Sequence, residues 1–244
     1  MRDDTTPRVN VAVIGAQKAG TRALRHFFGQ HPDIAISKDE FPETHFFRRP
    51  IKQQIISQYE AYYETWQLNR PAVVDITPIY LFDPRVAPRL KAYNPDMKLI
   101  VLLRDPVKRA HSQWSMEFNR KTESRDFEDA LANEREAHWG EVHPVHSYVQ
   151  RGLYAAQLSR LFSIFIRRQV LVLQSDQLRH DHQTTLNNVF DFIGVQRLDI
   201  PAATVHPGAY QPMSPATESK LRSIFAGDIN RLEQMLGWDL KDWK

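Results

Sequence analysis

The stretch Val9-Asn-Val-Ala-Val-Ile-Gly-Ala-Gln-Lys-Ala-Gly-Thr21 decides the fold. It opens with a short run of β-branched and small apolar residues, which is typical of a strand buried on both faces. Gly15 and Gly20 bracket a turn, and the apolar side chains of 21–30 recur on one face, which predicts a helix. A glycine-rich turn between a strand and a helix N-terminus presents backbone N–H groups to an anion.

Strand and helix patterns alternate along the rest of the chain. Strands are predicted at 72–74, 98–103 and 169–173, and helices at 51–66, from Asp83 onward, at 106–119, 126–137, 151–166, 181–193 and 214–236. Residues 34–50 are predicted to be irregular. Alternating strands and helices predict an α/β fold, a parallel sheet flanked by helices in a single domain over 1–244. In such sheets ligands bind at the carboxyl ends of the strands.

Composition limits the function classes. The chain has 244 residues and a net charge of +3, with its basic residues spread along the sequence, which argues against a nucleic-acid partner. It contains no apolar run near the ~20 residues that a membrane helix needs, and its first residues lack the apolar core of a signal peptide. Cysteine is absent, which excludes disulfides and thiolate metal sites. We therefore expect a cytoplasmic protein with no membrane partner.

The loop after the first strand differs from a nucleoside-triphosphate loop in one respect. Gly15 and Gly20 have that spacing, but Thr21 and Arg22 follow where the triphosphate motif has lysine and a hydroxyl residue. The lysine lies inside the loop instead, as Lys18, and no later strand ends on a convincing acidic metal ligand. This pattern predicts an anion bound without a metal, with Lys18 directed at a bridging oxygen.

Residues 16–24 closely resemble the 5′-phosphosulfate loop of sulfotransferases that use 3′-phosphoadenosine 5′-phosphosulfate (PAPS). The resemblance is to the heparan sulfate N- and 3-O-sulfotransferase type and its bacterial relatives. It implies a P-loop-like single-domain fold, PAPS as donor, PAP as product and no metal. It also implies that the donor is contacted by the loop residues Gln17, Lys18, Ala19, Gly20, Thr21 and Arg22.

A second motif, Leu99 to Ser112, resembles the segment of the same family that binds the 3′-phosphate. The resemblance implies that Arg104 and Ser112 hold this phosphate, and a guanidinium group suits phosphate because it offers planar, paired donors. Arg109 is either an additional electrostatic contributor or part of a solvated helix face.

The acceptor side is predicted from Glu43-Thr-His-Phe-Phe47, which resembles the Glu-x-His-Phe-Phe signature of the family. The resemblance implies that Glu43 is the general base and that His45 lies beside it, and Phe46 and Phe47 are expected to form apolar wall or core. His45 could instead be the base, because its unperturbed pKa suits the role. Glu40 is the competing carboxylate, but no histidine lies two residues after it.

Asp75-Ile-Thr-Pro-Ile-Tyr80 resembles the Glu-Lys-Thr-Pro-x-Tyr stretch of the family. Ile76 stands where 3-O-type relatives carry a lysine near the acceptor. Losing that cation favours a neutral or cationic acceptor over a heparan-like polymer. Thr77 is predicted to line the acceptor pocket.

The other face of the nucleotide is less defined. Tyr154 belongs to a stretch that resembles the Gly/Ser-x-Tyr element near the nucleotide in the family, and it is either a nucleotide contact or an ordinary core tyrosine. Tyr210 lies in a proline-rich loop over 201–214 that is predicted to close over the site. This loop lacks the basic triplet that relatives often carry.

These residues together predict sulfuryl transfer from PAPS to a hydroxyl or amine of a small-molecule natural product or a saccharide. Two alternatives stay open at this stage. A small-molecule kinase of the P-loop type would turn over ATP with Mg²⁺, and a non-catalytic nucleotide-binding protein would tolerate loss of Glu43.

Overall fold

A computed structural model describes residues 8–49, 56–64, 68–137, 143, 145–203 and 212–244. Within these ranges the core is one parallel sheet of five strands in the order β2-β3-β1-β4-β5. The strands are β1 (Val11–Gly15), β2 (Ile34–Ile36), β3 (Ala72–Ile76), β4 (Lys98–Leu103) and β5 (Val170–Gln174). The residues of β1, β3 and β4 are almost entirely buried, because helices cover both faces of the sheet.

Helices connect the strands. They are α1 (Thr21–Phe28), α2 (Ile56–Glu60), α3 (Val86–Tyr93), α4 (Pro106–Asn119), α5 (Phe127–Ala137), α6 (Tyr154–Phe162), α7 (Gln177–His180), α8 (His182–Ile193) and α9 (Pro215–Leu236). Short 3-10 turns lie at Phe46–Arg48, Gln150–Gly152, Arg167–Gln169 and Lys241–Trp243. No helix in the described ranges combines the length and the apolar character needed to cross a membrane.

The order of the strands creates a crevice next to β1. The chain builds β2 and β3 on one side of β1 and then crosses to β4 and β5 on the other. Val11 pairs with Val74 of β3 and also with Lys98 of β4, so the three strands end at the same edge of the sheet. A reversal of this kind leaves an open space at the carboxyl ends of the strands, where ligands bind.

The structure confirms the alternation and corrects several boundaries. Residues 34–50 are not wholly irregular, because Ile34–Ile36 pairs with β3 as the edge strand β2. Asp83 does not begin a helix: α3 starts at Val86, and the Asp83 side chain accepts hydrogen bonds from Arg85 instead. The helices predicted at 51–66 and 151–166 are shorter, as α2 and α6, and residues 50–55 and 65–67 lie outside the described ranges.

Candidate active site

A cavity of about 1370 Å³ opens at the carboxyl edge of the sheet. Most of the residues predicted from the four motifs line it, although these motifs are separate in the sequence. These are Gln17, Lys18, Gly20, Thr21, Arg22, Glu43, His45, Ile76, Arg104 and Ser112. The structure therefore brings the predicted donor and acceptor residues into one space.

The loop from Gly15 to Gly20 is held by backbone contacts. The Ala16 N–H donates to the Leu102 carbonyl of β4 at 2.6 Å, and a Cβ added to Gly15 would lie 2.6 Å from the Leu81 Cβ, so a larger residue does not fit there. Gly20 has φ of 100°, a conformation that favours glycine. It directly precedes α1, and no side chain caps the N-terminus of that helix. The first N–H groups of α1 are thus left to a ligand or to water.

Arg104 joins the second motif to this loop. It follows β4, and its Nη1 donates to the Lys18 carbonyl oxygen at 3.1 Å. The Tyr154 hydroxyl, which is buried, donates to the Arg104 carbonyl at 2.9 Å. Tyr154 therefore supports the backbone of Arg104 from behind and does not line the cavity.

Asp105 fixes the helix that carries Ser112. Its carboxylate caps α4 by accepting from the Val107 N–H at 2.9 Å, and it pairs with Arg222 of α9 at 2.9 Å. Ser112 lies on the first turns of α4 and faces the cavity with little exposure. Arg104 and Ser112 are thus presented by a capped strand-to-helix junction, as a phosphate clamp requires.

Arg151 supports the site from behind its lining, a role that the sequence did not predict. It is buried, donates to the Gln17 side-chain oxygen and, at 2.8 Å, to the His143 carbonyl, and lies over the Phe82 ring at 5.5 Å. Burial, together with the nearby Arg109 guanidinium, lowers the pKa of Arg151 to about 9. An arginine before the Gly-x-Tyr element gives no sequence signal that it contacts a loop 134 residues away.

Glu43 and His45 lie side by side in the cavity. Glu43 Oε2 and His45 Nε2 are 3.4 Å apart, and both side chains are partly exposed. Burial raises the pKa of Glu43, an effect that Arg22 opposes, whereas burial and Arg48 lower the pKa of His45. The lowered pKa favours an uncharged imidazole at His45 near neutral pH, and the raised pKa makes the Glu43 carboxylate a stronger base than an exposed one. Either group has a lone pair that can accept a proton when it is deprotonated.

The cavity wall at the end of β3 is apolar. Ile76, the last residue of β3, and Pro78 and Ile79 after it line the cavity, whereas Phe46 packs inward and stacks on Tyr59 with ring centroids 4.6 Å apart. Thr77 is completely buried and donates to Asp75 at 2.7 Å, and it does not line the cavity. Ala19 is also buried beneath the phosphate loop.

The description "sulfotransferase domain" belongs to the family model that matches residues 9–220 of this chain. The chain belongs to the sulfotransferase family. It is 32% identical over 187 residues to heparan sulfate glucosamine 3-O-sulfotransferase 3B1 of Homo sapiens, a match covering 76% of this chain and 46% of that protein. The chain thus spans about half the length of the curated relatives it matches.

Two solved structures share the sulfotransferase fold. A sulfotransferase from Alicyclobacillus acidocaldarius is 31% identical, with a TM-score of 0.80 and coverage of 97% of this chain and 98% of that one. The sulfotransferase domain of the Synechococcus PCC 7002 olefin synthase is 17% identical, with a TM-score of 0.61 and coverage of 98% of each chain. The parallel sheet described above is therefore the P-loop-like sheet of sulfotransferases.

One further predicted residue, Arg109, lies apart from the cavity lining. Arg109 is neither a solvated helix residue nor a wall of the site, because it is completely buried and donates to Gln113 and to the Tyr148 carbonyl. It holds α4 against the chain around residue 148. Tyr210 and most of the predicted closing loop, residues 204–211, lie outside the described residues.

Proposed function

We propose that this chain transfers a sulfuryl group from PAPS to a hydroxyl of a saccharide or related small molecule and releases PAP. The observation that carries the proposal is that the lysine of the phosphate loop and a carboxylate line the same cavity. Family membership supports PAPS as donor, because members of the family use it. The matched relatives are named heparan sulfate glucosamine 3-O-sulfotransferases, which supports a saccharide acceptor.

Residues at the carboxyl ends of β1 and β4 would hold the donor. The N–H groups at the start of α1 and the Lys18 side chain suit the 5′-phosphosulfate, because both present positive charge to an anion. Arg104 and Ser112 suit the 3′-phosphate. The Arg104–Lys18 hydrogen bond supports this assignment, because it joins the residues that follow the adjacent strands β1 and β4 and so keeps the two anion-binding groups close together.

The transfer exchanges one sulfur–oxygen bond for another. The acceptor oxygen forms a bond to sulfur as the bond between sulfur and the phosphate bridging oxygen breaks. Glu43 accepts the proton of the attacking hydroxyl, and Lys18 neutralises the negative charge that develops on the bridging oxygen. His45 remains beside Glu43 as a hydrogen-bonding neighbour.

The wall formed by Ile76, Pro78 and Ile79 favours an uncharged part of the acceptor next to it, because these three side chains offer no partner for a sulfate or carboxylate. Arg22, Arg48 and Arg120 line the same cavity and place positive charge around Glu43 and His45. Heparin offers a direct test of this proposal. Saturable binding of heparin at moderate ionic strength would contradict it.

The experiment that tests the function combines binding and turnover. A ligand present at 100 times its dissociation constant stabilises a protein by about 2.7 kcal/mol. We therefore expect PAP, but not ATP with Mg²⁺, to raise the Tm, and we expect PAPS to be converted to PAP when a suitable saccharide is added. Stabilisation by ATP with Mg²⁺ and none by PAP would favour the kinase alternative and contradict the proposal.

Replacing Arg104 by Lys is expected to weaken PAP binding and to raise the KM for PAPS. Lysine keeps the charge but cannot form paired hydrogen bonds to a phosphate or reach the Lys18 carbonyl in the same geometry. Losing one charged hydrogen bond, worth about 1.5–3 kcal/mol, corresponds to a Kd increase between about 10-fold and about 150-fold. Isothermal titration with PAP measures the change.

The matched control for that experiment is Arg197→Lys. Arg197 forms a paired ion contact with Asp191 on the surface at 2.6 and 2.9 Å, outside the cavity. This control should leave the Kd for PAP unchanged. An Arg104→Lys variant that bound PAP as tightly as the control would show that Arg104 does not hold the 3′-phosphate.

The pH dependence of kcat is expected to show an acidic limb governed by Glu43. A general base works only when deprotonated, so the rate falls as pH drops through the pKa of Glu43, which burial holds above its ordinary value. A His45→Gln variant should keep this limb because it keeps the carboxylate. If the limb disappeared in His45→Gln and persisted in Glu43→Gln, the base would be His45.

A further inference from the structure

Asp75 is a buried carboxylate at the carboxyl end of β3 that the transfer chemistry does not use. It is completely buried and accepts three hydrogen bonds from hydroxyl groups. The donors are Thr77 Oγ1 at 2.7 Å, Tyr59 OH at 2.8 Å and Thr44 Oγ1 at 2.9 Å. Burial raises the pKa of Asp75, and the three donated bonds oppose that effect because they stabilise the ionised carboxylate.

This hub joins three parts of the chain that are distant in sequence. Tyr59 belongs to α2, Thr77 follows β3, and Thr44 lies between the candidate catalytic residues Glu43 and His45. A buried carboxylate is costly unless it is fully hydrogen-bonded, so loss of one donor is felt by the whole network.

The segment over 43–47 depends on this network for its conformation. The Thr44 N–H donates to Thr77 Oγ1 at 3.2 Å, and the Phe47 N–H donates to Tyr80 OH at 3.2 Å, which also contacts Thr44 Oγ1 at 3.1 Å. His45 has φ of 50°, a conformation that non-glycine residues rarely adopt and that surrounding contacts must hold.

We propose that Asp75 is a positioning residue that holds the Glu43–His45 pair in the cavity by fixing Thr44. The inference rests on the proposed function, because it assumes that this pair accepts the proton of the acceptor. Thr44 is the mechanical link, since its hydroxyl bonds Asp75 while its backbone connects the two catalytic candidates.

Asp75 also acts on Glu43 through its charge. A buried anion near a carboxyl group raises the pKa of that group, and Asp75 does so for Glu43. The other charged or titratable groups that act on Glu43 or contact it are Arg22 of α1, Arg120 at the end of α4, Arg151 of the 3-10 turn and His45 of its own segment. The three arginines oppose the effect of Asp75.

Two variants separate the mechanical role from the charge. Thr44→Val removes the hydroxyl at constant shape and keeps the carboxylate of Asp75. Asp75→Asn removes the charge and keeps an oxygen acceptor. The control is Thr185→Val, which deletes an equally buried hydroxyl that donates to the Asp181 carbonyl at 2.7 Å on α8, away from the cavity.

The first readout does not depend on turnover. Hydrogen exchange, followed by mass spectrometry on peptides covering 43–49, reports whether the amides of Thr44 and Phe47 stay protected. We expect exchange in this segment to accelerate roughly 10-fold or more in Thr44→Val, because the buried hydrogen bonds around it are lost. The Thr185→Val control should exchange in this segment as the wild type does.

The second readout is the rate as a function of pH. We expect Thr44→Val to lower kcat by about 10-fold to about 100-fold with an unchanged Kd for PAP. The reason is that the general base is shifted away from its hydrogen-bonding position relative to the attacking hydroxyl. Asp75→Asn should lower kcat and also move the acidic limb to lower pH, since Glu43 loses the anion that raises its pKa. Thr44→Ser, which keeps the hydroxyl, should restore most of kcat.

The outcomes distinguish the inference from the proposed function. If exchange in 43–49 or kcat of Thr44→Val matches the Thr185→Val control, Asp75 does not position the pair. If both Thr44→Val and Asp75→Asn lose PAP binding, the network supports the donor site and the inference is overturned. If the wild type shows no transfer from PAPS but the segment still depends on Thr44, the proposed function fails while the structural link from Asp75 to the pair is supported.

Discussion

Replacing Glu43 by Gln is expected to lower kcat by roughly 10²–10⁴-fold while leaving the Kd for PAP unchanged. Glutamine has nearly the shape of glutamate and cannot accept the proton of an attacking hydroxyl. Glu43 lies in the cavity with its side chain 33% exposed, so a change of charge there does not unfold the protein. The measurements are PAP release at saturating PAPS and acceptor, and calorimetric titration with PAP.

The neighbouring Glu40 supplies the matched control. Glu40 lines the same cavity but has no histidine two residues after it, and it is exposed. We expect Glu40→Gln to keep kcat within a few-fold of wild type. Full transfer activity in Glu43→Gln, or an equal loss in both variants, would contradict the assignment of Glu43 as base.

Replacing Lys18 by Met is expected to lower kcat by roughly 10²–10³-fold, the cost of removing one preorganised group that stabilises developing charge. Lys18 lies in the phosphate loop with φ of 69°, and its carbonyl accepts from Arg104. Because that carbonyl is retained, the loop should keep its shape. PAP binding is expected to weaken less than the rate, because the charge on the leaving oxygen peaks in the transition state.

Lys91→Met is the control for Lys18→Met. Lys91 lies on α3, outside the cavity, and its ammonium group donates to the Pro95 carbonyl at 2.8 Å. Its replacement removes an equally long cation and should leave kcat unchanged. A Lys18→Met enzyme that retained wild-type kcat would remove Lys18 from the chemistry, whatever its effect on affinity.

Much of the fold could be predicted from the sequence because its signals are local. The β-branched run of β1 and the apolar run of β4 are buried on both faces, and such runs predict a strand without knowledge of the rest of the fold. The edge strand β2 has only three residues, and its conformation depends on pairing with β3, which local pattern does not show. The start of α3 was misplaced because Asp83 bonds Arg85 and not the helix.

The residues of the candidate site also fall into those that local sequence predicts and those that it does not. Lys18, Arg104 and Glu43 lie in contiguous motifs, and the cavity that they line was expected from the resemblance. Arg151 and Asp75 act through contacts with residues far away in sequence, on Gln17 and Thr44. Asp75 lies in a recognisable motif, but its contact with Thr44, like that of Arg151 with Gln17, becomes visible only once the fold brings the partners together.

The Arg104–Lys18 hydrogen bond bears on which parts of the fold determine specificity for the proposed donor and for the acceptor. It lies between β1 and β4, which are adjacent central strands, so the spacing of the two anion-binding groups is set by the backbone ladder of the sheet. Glu43 and His45 instead belong to a connection between β2 and α2 that is held in place by side-chain hydrogen bonds. If the proposed roles hold, substitutions in that connection should alter acceptor preference while leaving the spacing of the proposed donor-binding groups unchanged.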